Sequence, residues 1–191
     1  MDDDTIVFYF IRHGQTDWNL DNKIQGHTDV PLNKKGLEQA GELKKKLTGI
    51  VFAKCFSSDL QRASKTAQII MKENPAKIVL DKRLRERNFR DMEGKSSTAY
   101  INASPQDLDN IETDEALSAR VFQFLDEVIN TYLGGNILIV SHGGVMRSVL
   151  SKVLSLTCRD VEIEIGNMAI MKLLFTHGEW HVEELSDIRW T

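Results

Sequence analysis

The sequence predicts an α/β fold: a mainly parallel central sheet with helices on both faces. Two observations carry that prediction. Short apolar runs at residues 5–11, 53–57, 77–80 and 136–140 alternate with stretches of helical periodicity, the pattern that successive strand-helix-strand units leave in a sequence. Two of the runs lead into histidines followed by glycine, at Arg12-His13-Gly14 and at His142-Gly143-Gly144. In open α/β sheets, ligands sit outside the carboxyl ends of the strands.

The elements follow in order. Thr5 to Ile11 is an apolar run suited to a buried strand that stops at Arg12-His13-Gly14. Leu37, Ala40, Leu43 and Leu47 recur at helical spacing behind Asn33, whose side-chain oxygen can take a free amide proton of the first turn. The second strand encloses Cys55, ends at Ser57 and leads to a helix marked by Leu60, Ala63, Ala67 and Ile70. Ser58 is its expected N-cap, and Arg62 falls in its first turn. The third strand leads to Glu86. Residues 95–112 are poor in large apolar residues and read as a surface loop or lid. Thr113 then caps a helix carrying Leu117, Val121, Phe124, Leu125 and Val128. The fourth strand ends near His142, and another helix opens at Gly143-Gly144. Finally, Met168 to Phe175 and Trp180 to Leu185 flank Thr176-His-Gly-Glu179, which reads as a hairpin at one sheet edge.

A chain of 191 residues, 41% hydrophobic and 27% charged, is expected to form one domain over residues 1–191. Its 24 Lys and Arg against 28 Asp and Glu give a net charge of -4, so nothing global draws it to nucleic acid or to a membrane surface. An anionic ligand has to be held by local cations. The acidic start Met1-Asp2-Asp3-Asp4 is unlike a basic secretory leader and reads as a frayed tail, and the first apolar run is too short to span a bilayer. A cytoplasmic protein is expected. Cys55 and Cys158 read as two reduced thiols, and no CxxC or HExxH spacing suggests zinc.

Four sequence-distant strand ends therefore deliver His13, Arg62, Glu86 and His142, with Arg12, to one crevice. That inventory suits phosphoryl transfer. Guanidinium forks and imidazolium donors stabilise charge on the equatorial oxygens, a neutral imidazole can attack phosphorus, and a carboxylic acid can protonate the leaving oxygen. Arg83, Arg85, Arg87 and Arg90 form a basic run around Glu86, from which one or two are candidates to meet an anionic substrate. His27, His177 and His181 have no comparable setting.

These motifs resemble the histidine phosphatase superfamily, which includes the cofactor-dependent phosphoglycerate mutases. Arg12-His-Gly-Gln-Thr-Asp-Trp-Asn19 looks like the nucleophile motif, and Gln25-Gly26 with Asp29-Val-Pro-Leu32 like the loop after it. Ser57-Ser-Asp-Leu-Gln-Arg-Ala63 resembles the second-arginine motif, Leu84-Arg-Glu86 with Glu93-Gly94 the acid/base segment, and Val140-Ser-His-Gly-Gly144 with Arg147 the second-histidine motif. The resemblance implies a phosphoglycerate mutase-like three-layer sandwich with the central sheet flanked by helices. It further implies that His13 is the nucleophile, that Glu86 acts as acid and then base, and that Arg12, Arg62 and His142 hold the phosphoryl oxygens. Asn19, Gln25, Gly26, Arg90 and the backbone amide of Gly143 would complete the substrate contacts, with no metal and no cofactor. Arg12, Arg62 and a protonated His142 are expected to lower the pKa of His13.

Two departures shape the functional expectation. The family usually has glycine where this chain has Arg90, and often tryptophan where Met92 stands; Arg90 is expected to reach the crevice or to narrow its mouth. The family also commonly has a longer insertion before the helix opened here by Ile111-Glu112-Thr113, so residues 95–112 make a short cap and leave the crevice open. A mutase must exclude water from a bound intermediate. The expectation is therefore a phosphatase for a small phosphorylated metabolite, as in the α-ribazole phosphate or broad-specificity members, with phosphoglycerate mutase as the first alternative. A phosphate- or phosphoprotein-binding module without catalysis is the alternative of another class. Phe89 and Tyr100 are read equally as a wall for the leaving group or as packing within the lid.

Overall fold

The computed structural model describes residues 4–156 and 163–190. Strand β1 (Ile6–Arg12) is followed by the short helix α1 (Asp17–Leu20) and by α2 (Lys34–Lys46). Then come β2 (Phe52–Ser57), α3 (Gln61–Ile70) and β3 (Ile78–Leu80). Two single 3-10 turns and two short helices, α4 (Ser97–Ile101) and α5 (Pro105–Leu108), lead to α6 (Asp114–Thr131). The chain closes with β4 (Gly135–Ser141), α7 (Gly143–Val153), β5 (Ile163–Thr176) and β6 (Glu179–Trp190). Cys158, Asp2 and Asp3 lie outside the described residues.

The sheet order is β3-β2-β4-β1-β5-β6. The first four strands are parallel, and β5 and β6 are antiparallel to their neighbours. Successive residues of β1 and β4 point to opposite faces, and both faces are covered, which is why these strands are continuous apolar runs. Phe8, Phe10, Ile137 and Ile139 pack with Phe124, Leu125, Met146 and Val149 from α6 and α7. Val7, Tyr9, Ile11, Leu138 and Val140 pack with Leu43, Ala63, Ala67 and Ile70 from α2 and α3. Helix, sheet and helix thus form the expected three layers.

The helix starts follow the predicted chemistry with one exception. Asn33 accepts from the Gly36 amide at 2.9 Å, and Thr113 accepts from the Ala116 amide at 3.2 Å. Ser58, by contrast, does not cap α3. Its hydroxyl takes the amide of Leu60, the residue before the helix begins, at 3.3 Å, and the Gln61 amide is taken instead by Asp29 at 2.6 Å. The hairpin is longer than its sequence signal and pairs along β1, so it extends the sheet. Its two turn residues, His177 and Gly178, both have positive φ (53° and 82°), as a tight two-residue hairpin requires. Among the described residues, no helix is long and apolar enough to cross a membrane.

Candidate active site

The register of the two central strands builds the site. Arg12 pairs with Ser141, so the residues that follow them emerge side by side. The His13 amide donates to the Ser141 carbonyl at 3.0 Å, and the His13 and His142 rings lie 5.2 Å apart, edge to face. Strand β2 ends level with them, because Ser57 pairs with Val140. From the first turn of α3, Arg62 reaches in, fully buried, donating to the carbonyls of Gly26 at 2.7 Å and Thr28 at 2.9 Å. Arg12 donates to the Ile165 carbonyl at 2.5 Å.

His13 Nδ1 is 2.7 Å from the Gly14 carbonyl. A carbonyl only accepts, so Nδ1 carries the proton and the lone pair of the neutral ring is on Nε2. Burial first, then the Arg62 and Arg12 guanidinium groups, hold His13 well below the usual imidazole range, in the expected direction. His142 is pushed the same way, by burial and then by Arg62, His13 and Arg12. It is therefore neutral near pH 7, not protonated as the sequence reading has it. A dianion seated beside both rings would raise them. Arg62 is lowered by burial to about 10 and keeps its charge.

Glu86 comes from the loop after β3. Its Oε2 accepts from the Gly144 amide at 3.1 Å and its Oε1 from the Arg87 amide at 2.8 Å. The approach is close enough that a Cβ on Gly144 would collide with the carboxylate, which accounts for the second glycine. Asn19 closes a capping box with Thr16. Its Oδ1 accepts from the Thr16 amide at 3.0 Å and from Asn167 at 3.3 Å, so its amide nitrogen remains the donor. Gln25 is buried on the crevice wall. Gly26 has φ +50° and is pressed against Glu93, and its carbonyl is committed to Arg62.

Arg12, His13, Asn19, Gln25, Gly26, Arg62, Glu86 and Gly143 all line one crevice of about 530 Å³. His142 is not among the lining residues; it is fully buried behind them, its ring 5.2 Å from that of His13. Both ring nitrogens of His142, and Nε of Arg12 and of Arg62, are buried with no hydrogen-bond partner among the described residues. The two guanidinium N–H groups and the single N–H of the neutral His142 ring are thus buried donors without partners, which is costly, and together they favour an anion placed among them. Among the described residues, no group of three or more His, Cys, Asp or Glu side chains is arranged as a metal site.

The structure does not bring Arg90 to this crevice. It is exposed, outside the lining, with φ +49°. That left-handed backbone explains why glycine suits the position. The rest of the basic run divides by partner: Arg83 pairs with Asp81 and Glu127, Arg85 with Asp59, and Arg87 with Asp114. Of the four, only Arg87 lines the crevice. Phe89 and Tyr100 stack edge to face at 5.5 Å, and both line the crevice.

Sequence reasoning missed the residues that hold the site from outside. Glu93 accepts from the amides of His27 and Thr28, both at 2.8 Å, and from that of Phe89 at 3.2 Å, tying the acid segment to the loop that holds Arg62. Asn167, on a bulge of β5, donates to the His13 carbonyl at 3.1 Å. Glu93 stands in the Glu93-Gly94 part of the acid/base motif, though nothing there told what it holds, and Asn167 has no local sequence signal. His27, assigned no role, lies within 2.9 Å of the Glu86 carbonyl through Nε2.

A mixed sheet with buried, unpartnered guanidinium and imidazole nitrogens at its strand ends, faced by Glu86, defines a class of protein. Residues 8–188 match the family model of the histidine phosphatase superfamily (branch 1), and the chain belongs to that family. It is 32% identical to the Bacillus subtilis protein named "Uncharacterized phosphatase PhoE", over 91% of each chain. It is also 32% identical to phosphoglycerate mutase-like protein 4 of Arabidopsis thaliana, covering 93% of this chain and 84% of that one. Among solved structures, a phosphoglycerate mutase from Bacillus anthracis superposes with a TM-score of 0.82 at 27% identity, covering 98% of this chain and 96% of its own. The fold is thus the phosphoglycerate mutase-like sandwich expected. A mutase-named structure of matching extent also means that the short 95–112 segment does not by itself separate phosphatase from mutase.

Proposed function

We propose that this protein is a metal-independent phosphomonoester hydrolase that acts on a small phosphorylated metabolite through a phosphohistidine on His13. The observation that carries the reading is the pinned tautomer of His13. Its proton is held on Nδ1 by Gly14, so Nε2 is free to attack, and burial together with the Arg62 and Arg12 guanidinium groups keeps the ring neutral at working pH. Arg12, Arg62, His142, Asn19 and the Gly143 amide hold the equatorial oxygens, with Gln25 and Gly26 shaping the wall. Nε2 forms a bond to phosphorus as the bond to the leaving oxygen breaks, and protonated Glu86 gives its proton to that oxygen. Water then attacks the phosphohistidine, Glu86 takes a proton from it, and inorganic phosphate leaves. Residues 95–112 serve as a short cap, with Tyr100 at the mouth.

The test is phosphate release from a panel of sugar phosphates, nucleotides, phosphoglycerates and aryl phosphates, with chelator present. Turnover should fall by on the order of 10³-fold or more in His13→Ala. The native protein should also yield acid-labile labelled phosphate on histidine. Turnover that survives in His13→Ala, or that needs added metal, overturns the reading. Phosphoglycerate mutase is the second reading. Arg87, which lines the crevice next to Glu86, favours it as a cation able to meet a substrate carboxylate in exchange for its pairing with Asp114. Equilibration of 2- and 3-phosphoglycerate faster than hydrolysis, dependent on 2,3-bisphosphoglycerate, would establish it.

A further inference from the structure

Arg120 sits in the middle of α6 and is not part of the crevice lining, yet it is the most fully engaged side chain of the described residues around Glu86. A guanidinium has five N–H donors, and all five are used. Nε donates to Glu112 Oε1 at 2.7 Å, and Nη2 donates to Glu112 Oε2 at 2.9 Å. Nη1 donates to the carbonyls of Arg83 at 2.5 Å and Arg85 at 2.7 Å, and Nη2 also donates to that of Glu86 at 2.9 Å. The Leu84 carbonyl, the only one in that stretch that Arg120 leaves, accepts from the Ser141 hydroxyl at 2.7 Å. Four consecutive carbonyls leading into Glu86 are thus fixed by side chains from α6 and β4.

Glu112 extends the clamp. It lies at the end of the 95–112 segment, and its backbone and side chain both pair with Asn88: its amide donates to the Asn88 carbonyl at 2.9 Å, and its Oε2 accepts from the Asn88 amide at 3.0 Å. One ion pair therefore joins three pieces: the core helix, the loop on either side of Glu86, and the end of the cap. A loop has no ladder to hold it. Displacing a reacting group by a fraction of a bond length is enough to lose much of its effect.

We propose that Arg120 is the positioning residue for Glu86, and that Glu112 couples the cap to it. The inference rests on the reading of Glu86 as the acid for the leaving group. It predicts a loss that depends on how much the leaving group needs a proton. The measurement is kcat/KM, which reports the phosphorylation half-reaction, for two esters: glycerol phosphate, whose alkoxide must be protonated, and 2,4-dinitrophenyl phosphate, whose phenolate departs unaided.

Glu86→Gln should lower kcat/KM for the alkyl ester by about 10²- to 10⁴-fold, with a much smaller loss on the activated ester. Arg120→Lys keeps the charge but offers three donors from one point, and should show the same selectivity at roughly ten- to a hundredfold on the alkyl ester. Glu112→Gln, which leaves most of the clamp in place, should fall between it and the native protein. An Arg120→Lys loss equal on both esters, with the Glu86→Gln selectivity intact, would make Arg120 merely structural and overturn the inference. If Glu86→Gln itself shows no selectivity, the acid assignment fails instead. Thermal unfolding of each variant separates misfolding from either result, and Glu112→Gln remains informative if Arg120→Lys does not fold.

Discussion

The wall that carries His13, His142 and Arg62 is made of strand ends and the first turn of a helix, whereas the wall that carries Glu86 is a loop. The first is deeply buried, and its backbone is set by the parallel ladder of β1, β4 and β2. Several of its polar atoms have no partner among the described residues. The second is half-buried and satisfied: both Glu86 oxygens accept backbone amides, and the carbonyls before it are all bonded. A strand end is rigid enough to hold unpaired donors apart until an anion joins them. A loop has to be tied down group by group, so its precision depends on residues such as Arg120 and Glu93 that never meet the ligand.

That contrast is broken or sharpened by three measurements. The largest effect belongs to the strand-end wall. Arg62→Met leaves the carbonyls of Gly26 and Thr28 without their donor and removes a fork from the developing charge, so kcat/KM should fall by about 10²- to 10³-fold on alkyl and activated esters alike. A loss confined to the alkyl ester would place Arg62 functionally with Glu86 and erase the distinction between the walls.

The second effect is on stability. His13 and His142 both bind protons more weakly when folded than when unfolded. Their contribution is therefore complete above the unfolded value of about 6.5 and is lost as the pH falls below it, at up to about 1.4 kcal/mol per pH unit for each ring, until the depressed folded values are reached. Urea unfolding in phosphate-free buffer from pH 7.5 to 5 should show the decline. His142→Asn should flatten it, and so should saturating inorganic phosphate, which favours the charged rings. A flat profile in the native protein would mean that burial does not control this wall.

The smallest effect lies outside both walls. Arg90→Gly relieves a left-handed backbone and should stabilise the protein by up to about 1 kcal/mol in the same unfolding assay, with unchanged kinetic constants. Altered kinetics would return Arg90 to the mouth of the crevice.

Legibility in the sequence followed the range of the interaction. Asn33 and Thr113 were readable as caps because each bonds three residues ahead. The cap of α3 was not, because its acceptor is Asp29, 32 residues earlier in the chain. The site showed the same divide. His13, Arg62, Glu86 and His142 follow strands whose apolar runs announce them. Glu93, Asn167 and Arg120 work through bonds to backbone far away in sequence. Glu93 left a trace in the Glu93-Gly94 motif, and Arg120 another: it falls three residues after Leu117 and four before Phe124, on the buried stripe of α6, where a guanidinium needs partners.

Periodicity and strand-end chemistry were enough to determine the layer architecture, the parallel core of the sheet and most of the residues that line the crevice, because each of these depends on local pattern and on burial. Register, tautomer, protonation and clamping were decided only by the tertiary structure. Pairing Arg12 with Ser141 sets the two histidines side by side. Their common burial holds both below the usual imidazole range, and the Arg120 guanidinium from α6 binds the backbone carbonyls of Arg83, Arg85 and Glu86. These properties depend on distances between groups remote in sequence, and Coulomb energies and hydrogen bonds change steeply with those distances.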